Sequence, residues 1–196
     1  LETVKHGTQR INDIVGTLQE FSRNDQQGVK ATNLNQSLDN TLLILNSQLS
    51  RDDIEVIKDY DSLPLVHCQP GEINQVFMGI LVNAIEAIEA ANGDTKKITI
   101  KTLKLPSNCV RITVQDTGTG IPEDIQDKVF DPFFTTKPVG KGMGLGLALC
   151  YQTIQQHQGN LHFQSKVGQG TTVAIELPIE PPEYPSSTDG SATLDT

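Results

Sequence analysis

Helical and strand-like stretches follow one another along this chain, and together they predict an α+β domain. Three observations carry the prediction. Between about Pro70 and Ala91, the residues Ile73, Val76, Phe77, Ile80, Leu81, Ala84, Ile85 and Ile88 recur at helical spacing and form one wide apolar face. Two stretches, marked by Ile98, Ile100 and Leu103 and by Val110, Ile112 and Val114, approximate the period of a strand. A further helical stretch, from about Gly144 to His157, leads into two more strands at 160–165 and 171–177.

The remaining elements read in order as follows. Residues 1 to about 26 form a helix in which Val4, Ile11 and Leu18 are spaced by seven and Ile14 and Phe21 make a second row. That seam suits a coiled coil, and it also suits a surface helix packed on its own domain. Gly28 is the stop. A second helix covers about 33–49 with Thr32 or Asn33 as its cap. Strand-like pieces follow at 54–60 and 65–68. Pro70 suits the first turn of the long helix, and Gly93 lies past its end. Residues 105–108 turn between the two alternating strands. A long irregular segment then runs over about 117–143, rich in glycine and proline. A loop of that length inside a compact domain is usually functional. The tail from 179 to 196 is rich in Pro, Ser, Thr and Asp and is expected to be disordered.

Composition narrows the classes. Hydrophobic residues make up 36% and charged residues 20%, as in a soluble globular protein. No apolar run is long enough to span a membrane, so no membrane contact is expected of this segment. Fifteen basic residues are scattered among 24 acidic ones, for a net charge of -9, which argues against nucleic acid as a partner. Cys68, Cys109 and Cys150 lie far apart in apolar stretches and read as reduced core residues of a cytoplasmic domain. The histidines show no metal-ligand spacing. The chain opens at Leu1 and reads as a piece of a longer protein, which leaves the parent free to be membrane-anchored.

Four constellations carry chemistry. Gly79, Asn83 and Glu86 share one flank of the long helix, where Asn83 can offer its amide oxygen to a hard cation or simply meet water. Asp116-Thr117-Gly118-Thr119-Gly120-Ile121 follows a strand; it is either an acidic turn or a carboxylate held at a strand end to accept from an amino group. Phe130-Asp131-Pro132-Phe133-Phe134-Thr135-Thr136-Lys137 offers three aromatic anchors for a mobile lid and a lysine for a phosphate. Gly140-Lys141-Gly142-Met143-Gly144-Leu145-Gly146 opens a helix, where free N–H groups attract phosphate, although it is neither a P-loop nor a dinucleotide fingerprint.

Taken in this order, the series resembles the N, G1, F and G2 boxes of the sensor histidine kinases, members of the ATPase group that includes DNA gyrase, heat-shock chaperone ATPases and mismatch-repair ATPases. The resemblance covers about Asp61 to Pro178. Gly168-Gln169-Gly170-Thr171-Thr172 is similar to the start of the family's last strand, and Phe21-Ser22-Arg23 resembles part of the second helix of its dimerisation hairpin. The implied fold is a two-layer α/β sandwich, a mixed sheet with helices on one face, preceded by the long coiled-coil-like helix. The implied domains are 1–28 as half of the hairpin, 29–178 as the ATP-binding catalytic domain and 179–196 as the tail. The implied cofactors are ATP and Mg²⁺. Asn83 would take the metal and Asp116 the adenine amino group, with Thr171 helping through water. Gly118 and Gly120 would shape the adenine side. Gly142, Gly144 and Gly146 would meet the phosphates, with Lys137 a candidate phosphate contact. His157 is structural.

The implied reaction moves the γ-phosphoryl group of ATP to a histidine and then to an aspartate of a response-regulator receiver domain, in a homodimer formed through the hairpin. No histidine of this chain has the setting of the family's acceptor, so the segment is not expected to phosphorylate itself. Gly79 stands where the family usually has Asn or His. That departure leaves room for a nucleotide-binding signalling module without phosphotransfer. An ATP-hydrolysing member would need a further domain after the last strand. Asp116-Thr117-Gly118 also matches the triplet of aspartic proteases, but those are built almost wholly of strands.

Overall fold

The computed structural model describes residues 28–91, 93, 95–137 and 142–180. The expected helix over 1–26, positions 138–141 of the glycine-rich loop and the tail beyond 180 lie outside the described residues. Eleven elements succeed one another among the described residues. They are β1 (Lys30–Thr32), α1 (Leu34–Arg51), β2 (Glu55–Tyr60), β3 (Val66–Cys68), α2 (Pro70–Glu89) and β4 (Lys97–Lys104). Then come β5 (Cys109–Asp116), α3 (Glu123–Gln126), α4 (Gly146–Gln156), β6 (Asn160–Lys166) and β7 (Gly170–Pro178).

Five strands form one sheet in the order β2-β4-β5-β7-β6. β2 runs parallel to β4 and the other neighbours are antiparallel, so the sheet is mixed. Alternation along each strand decides which face is covered. Ile98, Ile100, Val110, Ile112, Val114, Ile175 and Leu177 point into one core with the helices. On the other face Arg111 of β5 reaches Glu176 of β7 at 2.9 Å, where water is near.

Three helices supply the second layer. α1 buries Leu34, Leu38, Leu42, Leu45 and Leu49, one apolar stripe of leucines. Asn33 is its cap, its side chain accepting from the Gln36 N–H at 3.2 Å. α2 buries the eight residues that its sequence pattern marked, from Ile73 to Ile88, with Pro70 in the first turn. α4 is shorter than the sequence pattern suggested. Gly144 has φ +65, which no helix accommodates, so the helix starts at Gly146.

Three features were not foreseen. β1 pairs antiparallel with β3, but three residues are too few for alternation to register in a sequence. α3 is a single turn inside the long loop. Ile179, placed in the tail by the sequence reading, is buried, donates to the Asn108 carbonyl at 3.0 Å and accepts from the His67 N–H at 2.9 Å. The folded chain therefore continues past Pro178.

Candidate functional site

A cleft of about 790 Å³ opens between α2, the end of the sheet at Asp116 and Thr171, and the loop residues within 119–137 and 142–146. Asp116 ends β5 and is 5% exposed. Its Oδ1 accepts from the N–H of Gly118 at 2.8 Å and from the N–H of Thr171 at 3.2 Å. Its other oxygen takes no hydrogen bond from the described residues and remains an acceptor for the cleft. Burial pushes the Asp116 carboxyl above its ordinary range, against the opposing pull of those two N–H groups. A carboxylate kept charged at this spot is costly until a donor reaches it.

The glycines divide by what surrounds them. A Cβ on Gly118 would lie 2.6 Å from the Ala87 backbone, so this glycine lets the loop press onto α2, where Thr119 N–H donates to Ala87 O at 3.1 Å. Gly118 lies behind the cleft rather than in its wall, whereas Gly120, Gly142, Gly144 and Gly146 line it. A Cβ on Gly144 would meet the Phe133 carbonyl carbon at 2.4 Å, a contact fixed by the Phe133 N–H donating to Gly144 O at 2.9 Å. At Gly146 a Cβ would meet, beyond its chain neighbours and its own helix, no atom of the described residues within 4 Å. Among the described residues no side chain caps the N-terminus of α4, which leaves the N–H groups of its first turn for an anion in the cleft.

Asn83 lines the cleft from α2 and its amide makes no hydrogen bond within the described residues. Those residues hold no cluster of three or more His, Cys, Asp or Glu side chains fit for a resident metal. A single neutral oxygen suits a Mg²⁺ that arrives with phosphates and keeps water in its remaining positions. Gly79, grouped with Asn83 on sequence grounds, is absent from the cleft wall. It faces α4, and a Cβ there would lie 2.9 Å from Cys150 Sγ.

Lys137 reaches the cleft but is committed to Glu86 of α2 in a short ion pair. Of the three expected anchors, Phe130 holds: its ring lies 5.0 Å from that of Tyr151 and 5.6 Å from that of Phe163. Phe134 lines the cleft, but Phe133 is 75% exposed at φ +69 and anchors nothing by its ring. His157 is structural, as expected. Its Nδ1 bonds Thr153 O at 2.8 Å and its Nε2 accepts from the Gln69 N–H at 3.1 Å, joining the end of α4 to the start of α2.

The sequence reading passed over Ser165 and Gln126. The Gln126 amide donates to Ile121 O at 2.8 Å and to Ser165 O at 3.2 Å, tying α3 to β6. Neither residue belongs to a glycine-rich motif, and the pairing of Ser165 with Thr171 across β6 and β7 brings it to the site.

Residues 68–181 match the family described as "Histidine kinase-, DNA gyrase B-, and HSP90-like ATPase". The chain belongs to that family. Among the curated relatives of this ATPase domain is the signal transduction histidine-protein kinase AtoS of Escherichia coli strain K12, 36% identical over 172 residues, which cover 87% of this chain and 27% of AtoS. The chain thus spans about a quarter of that relative's length. The catalytic domain of the histidine kinase ThkA, solved nucleotide-free, is 29% identical with a TM-score of 0.68, covering 79% of this chain and 98% of that one. ThkA in complex with the response regulator protein TrrA matches at 26% identity and a TM-score of 0.69, over 93% of this chain and 51% of that one. The family match, residues 68–181, takes in the cleft-lining residues from α2 to β7.

Proposed function

We propose that this chain is the catalytic domain of a two-component sensor histidine kinase, binding ATP with Mg²⁺ and donating the γ-phosphoryl group to a histidine that lies elsewhere in the protein. The observation that carries the proposal is the buried Asp116 carboxylate, held by two backbone N–H groups with one oxygen free in a cleft that the uncapped start of α4 also lines. An acceptor for an amino group and donors for phosphate in one cleft suit a nucleotide. Asn83 would hold the Mg²⁺, which would neutralise charge on the transferred group. The chain's own part is positioning: Asp116 and Thr171 orient the base, and Gly142, Gly144 and the first turn of α4 receive the phosphates.

None of the described histidines is taken as the acceptor, since none has the sequence setting of the family's acceptor. His157 has both ring nitrogens engaged within the fold. His162 lies on β6 with its side chain on the sheet face away from the helices. AtoS is a histidine-protein kinase and ThkA binds a response regulator protein, which supports onward transfer to a receiver-domain aspartate. We extend the same reading to a homodimer formed through a hairpin that includes residues 1–28. No helix among the described residues is long and apolar enough to cross a membrane. The cytoplasm, where ATP is supplied, is the compartment this function needs.

A second reading is nucleotide binding without phosphotransfer, which the sequence raised at Gly79, although that residue faces α4 and not the cleft. Calorimetry and labelling separate the two. The chain should bind ATP more tightly with Mg²⁺ than without. The full-length protein should then acquire acid-labile label from γ-labelled ATP, while this segment alone should acquire none. ATP binding with an unlabelled full-length protein would favour the second reading, and no ATP binding would overturn both.

A further inference from the structure

We propose that Glu86 makes the cleft select Mg²⁺-loaded ATP over metal-free ATP, by holding Lys137 in the empty site and opposing phosphate when no metal accompanies it. The inference rests on the nucleotide reading above and deepens it at a residue which that reading leaves without a role. Among the described residues that line the cleft, the charged ones are Glu86, Asp116 and Lys137. Asp116 is held at the end of β5 by the N–H groups of Gly118 and Thr171. Glu86 and Lys137 face each other, with Lys137 Nζ donating to Glu86 Oε2 in the short ion pair that joins α2 to the long loop. Glu86 stands three residues after Asn83 on α2, and both line the cleft, so the carboxylate and the amide share one stretch of its wall. The stem of Lys137 runs beside Gly142, where a Cβ would lie 3.0 Å from Lys137 Cδ. The lysine thus lies between the helix carboxylate and a glycine of the loop assigned to the phosphates.

In the empty cleft, this carboxylate and this ammonium compensate each other. Both side chains are half-exposed, so the pair is weak enough to be exchanged. A triphosphate carries several negative charges and attracts the ammonium more strongly than a single carboxylate does. Metal-free ATP can draw Lys137 away only by leaving Glu86 uncompensated beside the phosphates. If Lys137 stays with Glu86, the phosphates lose their cation instead. One lysine cannot serve both anions, and like charges brought together oppose binding. ATP loaded with Mg²⁺ brings its own cation. Asn83 offers that ion a neutral oxygen, and Glu86, beside it on the helix, an anionic one, directly or through a bound water. Lys137 is then released to the phosphates. A neutral amide such as Asn83 adds affinity for the metal but no penalty for its absence, whereas the Glu86 carboxylate supplies both. Glu86 is therefore a specificity-determining residue, and its partner Lys137 ties the metal state of the nucleotide to the seat of the long loop.

The test measures ATP affinity by calorimetry, once with Mg²⁺ and once with a chelator in its place, on the wild-type chain, Glu86→Gln, Glu86→Asp and Lys137→Gln. Thermal unfolding is followed in parallel. The quantity that decides is the ratio of the two affinities. We expect Glu86→Gln to bind metal-free ATP about five- to tenfold more tightly than the wild type, and Mg²⁺-loaded ATP no more tightly, so that the ratio falls by at least that factor. Glu86→Asp keeps the charge and should keep the ratio. Lys137→Gln leaves the carboxylate unpaired and should raise it. If Glu86→Gln shifts both affinities by one factor, or shifts neither, the residue is merely structural and the inference is overturned. A wild type that binds ATP equally well with and without Mg²⁺ overturns it too, while the ATP assignment stands. A wild type that binds ATP under neither condition overturns the ATP assignment and this inference with it. Should Glu86→Gln not fold, Glu86→Ala, which also removes the charge and suits a helix, carries the same comparison with the same outcomes.

Discussion

Asp116 concentrates the cost of the site in one group. Its carboxyl is raised by burial, so the folded protein holds that proton more tightly than the unfolded chain. The resulting stability is fully present below the ordinary carboxylate value and is lost as pH rises through the raised one. Near neutral pH the empty site therefore carries an unfavourable charge that a ligand amino group relieves. Asp116→Asn keeps the shape and should leave the ligand-free fold at least as stable, with the pH slope in that window reduced. ATP affinity should fall by about ten- to hundredfold, since a hydrogen bond to a charged group is lost. Denaturation against pH checks the first statement and calorimetry the second. Gly144 and Gly146 make a contrasting pair. Gly144 is required by the protein, with φ +65 and the Phe133 backbone against it, whereas Gly146 faces open space. Gly144→Ala should lower the melting temperature. Gly146→Ala should leave it unchanged or raise it, since alanine favours the helix, yet weaken ATP by tenfold or so if phosphate fills that space. Equal ATP affinity in Gly146→Ala would move the phosphates elsewhere.

Between elements, the close approach of α2 to α4 decides what Gly79 means. Helical periodicity put it on the flank of Asn83 and Glu86, and from the sequence it read as a lost metal contact. In the fold it gives room to Cys150 Sγ, whose thiol is pushed up to about 12 by burial and is therefore neutral and unreactive. Gly79→Ala gains about 1 kcal/mol of helix propensity but overpacks the contact at a cost of about 1–3 kcal/mol. We expect a net loss in the wild type and a net gain in the Cys150→Ala background, with the coupling visible in a double-mutant cycle by denaturant unfolding. Gly79→Asn, which meets the same sulfur, should not raise Mg²⁺-dependent ATP affinity. If it does, the side chain reaches the cleft and the packing explanation fails. The Glu86–Lys137 pair crosses from α2 to the long loop at a half-exposed position, so water and salt weaken it, and an arriving phosphate competes for the lysine on favourable terms.

Across the whole molecule, the helical layer and sheet share a core while the long loop has little of it. Among residues 119–137, Val129 is the buried aliphatic side chain and Phe130 the ring packed on its neighbours, whereas the sheet holds Ile98, Ile100, Val110, Ile112 and Ile175 with no exposed area. ATP should therefore slow amide exchange in 119–137 more than in β4, β5 or β7, and equal protection with and without ATP would mean that this loop is no lid. The sequence by itself determined the long elements. Apolar residues at helical spacing in α2 and alternation in β4 and β5 leave each segment one way to bury its side chains. It also singled out Asn83, Asp116, Thr171 and the glycines opening α4, which the fold gathers along one cleft, because ordered motifs of defined residue types carry that grouping along the chain. Tertiary structure decided the rest. Gly118 turned out to serve packing, Gly79 to face Cys150, Lys137 to pair with Glu86 and Ser165 to join the site. Each of these outcomes depends on which residue of a distant element lies within a few ångströms, and neither periodicity nor motif spacing encodes a distance across the fold.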